Sequence, residues 1–414
     1  MSFVFSIVNV CFFGVKSIMQ EEIIMSEDFK KSIYLDNGAT SFPKPIEVAE
    51  AVYKYMTECG TNVNRGGYKT AYDLEGTVFE TREMLAEMFG GSDCKNVVFT
   101  KNVTESLNLI LKGFLKSGDH VLCSSMEHNA VMRPLVQLQD QGVEFSRIPA
   151  DKCGCLDFDA IPDMIRPETK AIVMTHASNV CGTVNPIDKV GALCAERGIK
   201  FIVDSAQTAG ILPINMKEMH IDALCFTGHK SLLGPQGIGG FILDEDMIDR
   251  IYPIISGGTG SISHTEIMPD FMPDKFEAGT MNLPGIVGLH AGLKWIKEKG
   301  LSAVSSHELG LTQRFLDGIR PLEEAGKLSI IGLPGTEGRV GVVSVQTLTT
   351  DCADAAFKLD FEYGIQTRVG LHCAPNAHKT LGTFPTGTIR FSFGNFNTEN
   401  DADAAIHALS EICG

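Results

Sequence analysis

Short apolar runs alternate with longer stretches of helical periodicity along most of this chain, and few architectures satisfy that alternation. Residues 97–100, 120–124, 171–175, 201–204, 223–227 and 240–243 read as strands, most of them apolar throughout. Residues 105–115 and 131–141 carry apolar side chains at helical spacing. The pattern predicts an α/β fold: a mostly parallel sheet with helices on both faces. A long helix is expected over 285–299. The texture then changes to a helix, strands at 340–345 and 388–393, and a last helix, which reads as a smaller α+β C-terminal domain. The expected boundaries are an N-terminal extension at 1–32, a large domain at 33–298 and a small domain at 299–414.

Length and charge narrow the partners. At roughly 150 residues per domain, 414 residues hold two or three sizeable cores. The 35 basic residues against 51 acidic leave a net charge of −16, which repels phosphate backbones, so nucleic acid is not an expected partner. The 12 cysteines lack the dense regular spacing of a disulfide scaffold, which suggests a reducing cytoplasm. Cys153-Gly154-Cys155 has no second pair or histidine cluster at zinc-site distance, so no metal is expected. The apolar run at 3–15 is too short to span a bilayer and no basic residue precedes it. Residues 1–24 are read as an upstream or misassigned start ahead of Met25, with a weak anchor or signal as the other reading; no membrane partner is expected.

Ligands of open α/β sheets sit beyond the carboxyl ends of the strands. Asp204 ends an apolar strand, where a carboxylate is either an ordinary strand-end cap or the partner of a cation. Gln207 follows it, and Lys230, in Thr227-Gly228-His229-Lys230, follows another apolar strand. A buried lysine loses its proton readily and can condense with an aldehyde, while an aspartate can keep a pyridine nitrogen protonated. Pyridoxal phosphate (PLP) needs that pairing. The turn Thr100-Lys101-Asn102-Val103-Thr104-Glu105 could cradle a phosphate or simply cap a helix. The stretch Gly234–Gly240 fits neither the dinucleotide fingerprint nor the Walker loop. His128 could stack on a flat ring or be a polar loop residue, and Asn179 and Thr183 follow the strand at 171–175. Cys373, with Arg368 and His372 nearby and glycine in its loop, has the electropositive setting of a nucleophile; the other cysteines are assigned to packing. Arg390 lies inside an apolar strand and needs a buried anion, either a substrate carboxylate or a structural partner.

From Tyr34 onward the chain resembles fold-type I PLP enzymes of aminotransferase class V, specifically group II cysteine desulfurases and selenocysteine lyases. The likeness is carried by Tyr34-Leu35-Asp36-Asn37-Gly38-Ala39-Thr40, Asn64-Arg65-Gly66, Thr104-Glu105, Glu127-His128-Asn129, Ser178-Asn179-Val180, Asp204-Ser205-Ala206-Gln207, Thr227-Gly228-His229-Lys230, Phe276-Glu277-Ala278-Gly279-Thr280 and Arg368-x-Gly-x-His372-Cys373-Ala374. The resemblance implies a large domain with a seven-stranded, mostly parallel sheet and a small domain carrying the cysteine loop. It implies Lys230 as the cofactor-bound lysine, Asp204 at the pyridine nitrogen, Gln207 at the phenolic oxygen and His128 stacked on the ring. The turn at Thr104 and Glu105, with Thr227 and His229, would hold the phosphate, and Thr280 would reach the partner subunit of a homodimer. Asn179 and Arg390 would bind the substrate carboxylate, with Arg65 and Arg368 at the entrance.

The implied activity converts L-cysteine to L-alanine and leaves a persulfide on Cys373 for a sulfur-acceptor protein, as in iron–sulfur cluster assembly. The alternatives are a selenocysteine lyase or another class V aminotransferase or lyase. Between Cys373 and Arg390 the chain departs from well-known members, with Pro375-Asn376-Ala377-His378-Lys379-Thr380-Leu381-Gly382 placing His378 and Lys379 near the thiol.

Overall fold

Strands apolar on every residue must be covered on both faces, and the central sheet meets that demand. A computed structural model of the protein describes residues 32–63 and 66–414, so the expectations for residues 1–31 and for Arg65 fall outside the described residues. The strands are β1 (Ile33–Tyr34), β2 (Val97–Thr100), β3 (His120–Ser124), β4 (Glu144–Ile148), β5 (Thr169–Thr175), β6 (Lys200–Asp204), β7 (Ala223–Thr227), β8 (Gly239–Leu243), β9 (Leu328–Ile331), β10 (Val342–Thr347), β11 (Ile365–Gln366), β12 (Arg368–Gly370) and β13 (Thr388–Ser392). Seven of them form one sheet in the order β2-β8-β7-β6-β5-β3-β4, in which only β8 runs against its neighbours.

The two-residue period of each strand sorts its side chains into two cores. Phe99, Leu122, Ile172, Phe201, Val203 and Leu224 point to one, shared with helices Lys69–Phe89, Ile187–Arg197 and Leu283–Lys299. Val98, Val121, Val173, Ile202, Cys225 and Phe241 point to the other, closed by helices Val103–Phe114 and Asn129–Gln139. Part of the glycine-rich stretch lets this sheet pack closely. A Cβ at Gly240 would stand 2.4 Å from the Val98 carbonyl oxygen and 2.5 Å from the Phe226 ring.

A second, antiparallel sheet, β12-β13-β10-β9, packs with helices Leu301–Glu324, Cys352–Tyr363 and Glu399–Cys413 around Leu316, Val343, Leu359, Phe391 and Leu409. The segment at 33–36, expected at the head of the large domain, is built into this second unit. Its strand β1 pairs in parallel with β11, Leu35 lies in the second core, and Asp36 bridges Ser392.

Glu308 is enclosed in the second unit and accepts a hydrogen bond from Asn395 Nδ2 at 3.1 Å. Burial raises its carboxyl from 4.5 to about 8. The folded chain therefore holds a proton that the unfolded chain releases above about 4.5, and this contribution to stability is lost as pH climbs toward about 8. The slope is at most roughly 1.4 kcal/mol per pH unit. Glu308→Gln keeps the shape without the titration and should flatten the fall of melting temperature over that window; parallel profiles for the two proteins would refute the assignment.

Candidate active site

Parallel pairing of β5, β6 and β7 brings their carboxyl ends to one edge of the sheet, with Thr175 beside Asp204 and Asp204 beside Cys225. Asp204 is buried and accepts one backbone hydrogen bond, from Ala206 at 2.9 Å. Burial raises its carboxyl, while Ala206 N–H and Lys230 pull the other way. Lys230 follows β7, and burial lowers its ammonium to about 8 against the attraction of Asp204. The expected carboxylate and amine thus feel each other across one crevice. Thr227 ends β7, and its Oγ1 is buried with no protein partner; the same holds for His229 Nδ1. These are unspent polar atoms beside the lysine, of a kind that suits an anionic group on a cofactor.

The turn after β2 is closed by its own side chains. Asn102 Oδ1 accepts from Glu105 N at 3.0 Å, and Glu105 Oε2 accepts from Lys101 N at 2.6 Å. Glu105 therefore holds the turn's shape, since a carboxylate has no donor to offer a phosphate, and Thr104 stands exposed in the helix's first turn.

His128 caps helix Asn129–Gln139, its Nδ1 accepting from Ala130 N at 3.0 Å, which leaves the ring proton on Nε2. Burial, with Lys230 and Arg390 adding to it, lowers the imidazole to about 4. Beneath it Glu127 is enclosed and accepts from Thr175 N at 2.9 Å and 3.1 Å and from Ser124 Oγ, tying the end of β3 to that of β5. Gln207 Nε2 donates to Gly38 O at 3.1 Å.

The C-terminal sheet supplies the opposite wall. Arg390 on β13 is 2% exposed and pairs with Asp36 at 2.7 Å; it also donates to Asn179 O at 3.0 Å, while its Nε has no partner. Arg368 stands opposite it on β12 and reaches Asp36 at 3.4 Å. Asn179 Nδ2 donates to His372 O at 2.7 Å, which ties the residue expected on a substrate carboxylate to the cysteine loop and leaves its second N–H for another acceptor. Cys373 is exposed, and both it and His372 have left-handed backbone, φ 57° and 48°. Non-glycine residues hold that conformation only where the surroundings enforce it. Here Asn129 N donates to Cys373 O at 2.8 Å and Asn179 to His372 O, which docks the thiol's loop on the His128 helix.

His378, expected near the thiol, has its ring 5.5 Å from that of His372 and is fully buried on helix Pro375–Leu381, bonded to Thr383 Oγ1 at 2.7 Å. Lys379 lies over the Phe384 ring. Thr280 lines a cleft of about 830 Å³ with Tyr68, Arg82 and Glu277, and a smaller one of about 260 Å³ beside Lys101 and Glu105.

The aminotransferase class V family model matches residues 33–405. The chain belongs to that family. Among its relatives are a probable cysteine desulfurase of Methanothermobacter thermautotrophicus, 31% identical over 92% of this chain and 95% of the relative, and the E. coli cysteine desulfurase CsdA, 30% identical over 91% and 93%. The apo cysteine desulfurase of Thermococcus onnurineus superposes with a TM-score of 0.86 at 32% identity, covering 93% of this chain and 95% of that one. The S-sulfonic acid form of E. coli CsdA gives 0.82 at 27% identity, over 92% and 94%. The class V fold is thus that of the PLP fold-type I cysteine desulfurases.

Sequence reasoning left Asp36, Glu127 and Lys44 without roles. Lys44 Nζ donates to His229 O at 2.6 Å and to Ser41 Oγ at 2.5 Å, and burial lowers its ammonium to about 7. No spacing announces it, because a lysine between two prolines reads as a surface turn.

Proposed function

We propose that this chain is a PLP-dependent cysteine desulfurase that converts L-cysteine to L-alanine and leaves the sulfur as a persulfide on Cys373. The observation that carries the reading is one crevice holding Lys230 and Asp204 on one wall and, on the other, an exposed thiol whose backbone is fastened to the His128 helix and to Asn179. PLP, when bound, supplies an electron sink for the bonds broken at the amino acid. Lys230 would bind it and move the proton at the substrate's α-carbon. Asp204 would keep the pyridine nitrogen protonated, Gln207 would meet the phenolic oxygen, and His128 would cover the ring as a neutral imidazole. Thr227 Oγ1, His229 and the Thr104 turn would hold the phosphate. Arg390 would take the substrate carboxylate, with Arg65 and Arg368 at the entrance. The Cys373 thiolate would attack the substrate sulfur and then pass it to an acceptor protein, a supply suited to iron–sulfur cluster assembly.

A homodimer with Thr280 lent across the interface, a cytoplasmic setting and a domain boundary between residues 298 and 299 complete the proposal. The eleven described cysteines are all free thiols, which supports a reducing compartment. Among the described residues no helix is long and apolar enough to cross a membrane. The test is incubation of purified protein with L-cysteine and a thiol reductant while alanine and sulfide are measured together. Equal amounts of both are expected; pyruvate or transamination products in place of alanine would overturn the assignment.

Asp36 offers a second check. Removing one member of a buried ion pair strands the other at a cost of about 3–5 kcal/mol. Asp36→Asn should therefore lower the melting temperature. If Arg390 binds the amino-acid carboxylate, saturating L-alanine should restore more stability to this variant than it adds to wild type; equal shifts would remove Arg390 from the substrate site.

A further inference from the structure

The Cys153-Gly154-Cys155 motif has no role in the proposed chemistry, yet it is folded against a third cysteine. Asp151 closes a tight turn around it, its Oδ1 accepting from Cys153 N at 2.8 Å and from Cys155 N at 2.9 Å. Gly154 has φ 80°, and a Cβ there would stand 2.9 Å from Cys181 Sγ. Cys181 is fully buried, its Sγ lies 3.8 Å from Cys153 O, and Thr183 Oγ1 fastens the two segments by donating to the same oxygen at 2.6 Å. Cys153 is partly exposed.

Arg339 marks the site independently. Its guanidinium is 2% exposed and donates to the carbonyls of Gly335, Val342 and Leu333, and among the described residues no carboxylate pairs with it. The acidic groups its charge faces are the thiols of Cys181 and Cys153. A buried cation without a counter-ion favours an anion beside it. Among the described residues no three His, Cys, Asp or Glu side chains are placed to hold a metal, so the cluster is not a ligand set.

We propose that Cys153 and Cys181 form a peroxide-responsive disulfide pair that reports to the Cys373 loop. The Cys153 thiolate attacks hydrogen peroxide: an S–O bond forms, the O–O bond breaks, and the departing hydroxide leaves as water. Cys181 then attacks that sulfur, forming the S–S bond and expelling the second oxygen as water, with its own thiol proton completing it. Two electrons pass from the two sulfurs to the peroxide. Burial and the Asp151 carboxylate raise the Cys153 thiol, which makes the pair a slow responder to sustained oxidant. The route to the loop is short. Cys181 shares a small core with Met126, Ala374 and Ala377, and Asn179, two residues before it, holds both His372 O and Arg390.

The test uses the full chain with Cys373→Ser, which removes the exposed nucleophile. After peroxide treatment, unfolding in an alkylating agent and digestion without reduction, mass spectrometry should find the peptide carrying Cys153 joined to that carrying Cys181. The link should disappear on reduction and in an added Cys153→Ser, and persist with Cys155→Ser. A Cys153–Cys155 link, or complete alkylation of Cys181, would overturn the pair. The coupling rests on the proposed cofactor and is read separately: oxidised protein should bind L-alanine about fivefold more weakly by the cofactor's visible band, reversibly with dithiothreitol. Unchanged affinity in linked protein would refute the coupling and leave the pair standing.

Discussion

Lys230→Ala should bind no cofactor covalently and should lose turnover by roughly 10²–10⁴-fold through the missing proton transfer alone. The expectation rests on the position of the amine. It follows an apolar strand, burial lowers it to about 8, and the nearby buried carboxylate of Asp204 opposes that fall. With a pKa near 8, roughly one lysine in ten is a neutral amine at pH 7, enough to attack an aldehyde. Because the neutral form is the reactive one, the rate of cofactor loading should rise with pH and level off above about 8. Wild-type protein reduced with borohydride should gain the cofactor's mass on the peptide containing Lys230, and the variant should not. Cofactor found on Lys44, the other lysine near this wall whose ammonium burial lowers, to about 7, would sink the assignment.

Legibility followed the physics of burial. Strands covered on both faces carry apolar runs broken mainly at their ends, so β2, β3, β5, β6, β7 and β8 stood out. Edge strand β4, Glu-Phe-Ser-Arg-Ile, mixes exposed polar residues with a single fully buried one and passed unnoticed. Hydropathy carries no direction, so the reversal of β8 was invisible too. In the site, residues at strand ends were found because a polar group ending an apolar run is unusual. Asp36 was not, because what gives it meaning is a pairing with Arg390 across 354 positions of sequence. Asn179 was placed in this crevice, but its bond to His372 O was not foreseen, because that carbonyl comes from a loop whose left-handed backbone no local pattern announces. The place of His378 near the thiol was legible, but its burial on helix Pro375–Leu381, where Thr383 satisfies one ring nitrogen, was not.

Cys373→Ser should abolish alanine formation from L-cysteine while leaving the fold and cofactor intact. Serine fits the same backbone, and the hydrogen bonds that hold this loop run to the carbonyls of His372 and Cys373, so the substitution removes the thiol and nothing that positions it. Breaking a carbon–sulfur bond needs an acceptor for the sulfur. A thiolate is a strong, polarisable nucleophile, whereas a serine hydroxyl stays protonated at neutral pH and cannot form the S–S bond. Among the described cysteines Cys373 alone is exposed, so no neighbour is poised to replace it. Selenium makes a weaker bond to carbon and leaves more readily without a nucleophile, so the variant should keep much of its turnover of L-selenocysteine. Melting temperature and the visible cofactor band measured alongside would separate lost chemistry from lost structure. Full cysteine turnover by the serine variant would reject the persulfide route and favour a lyase that expels sulfur directly, with Lys230 and Asp204 unchanged in their roles.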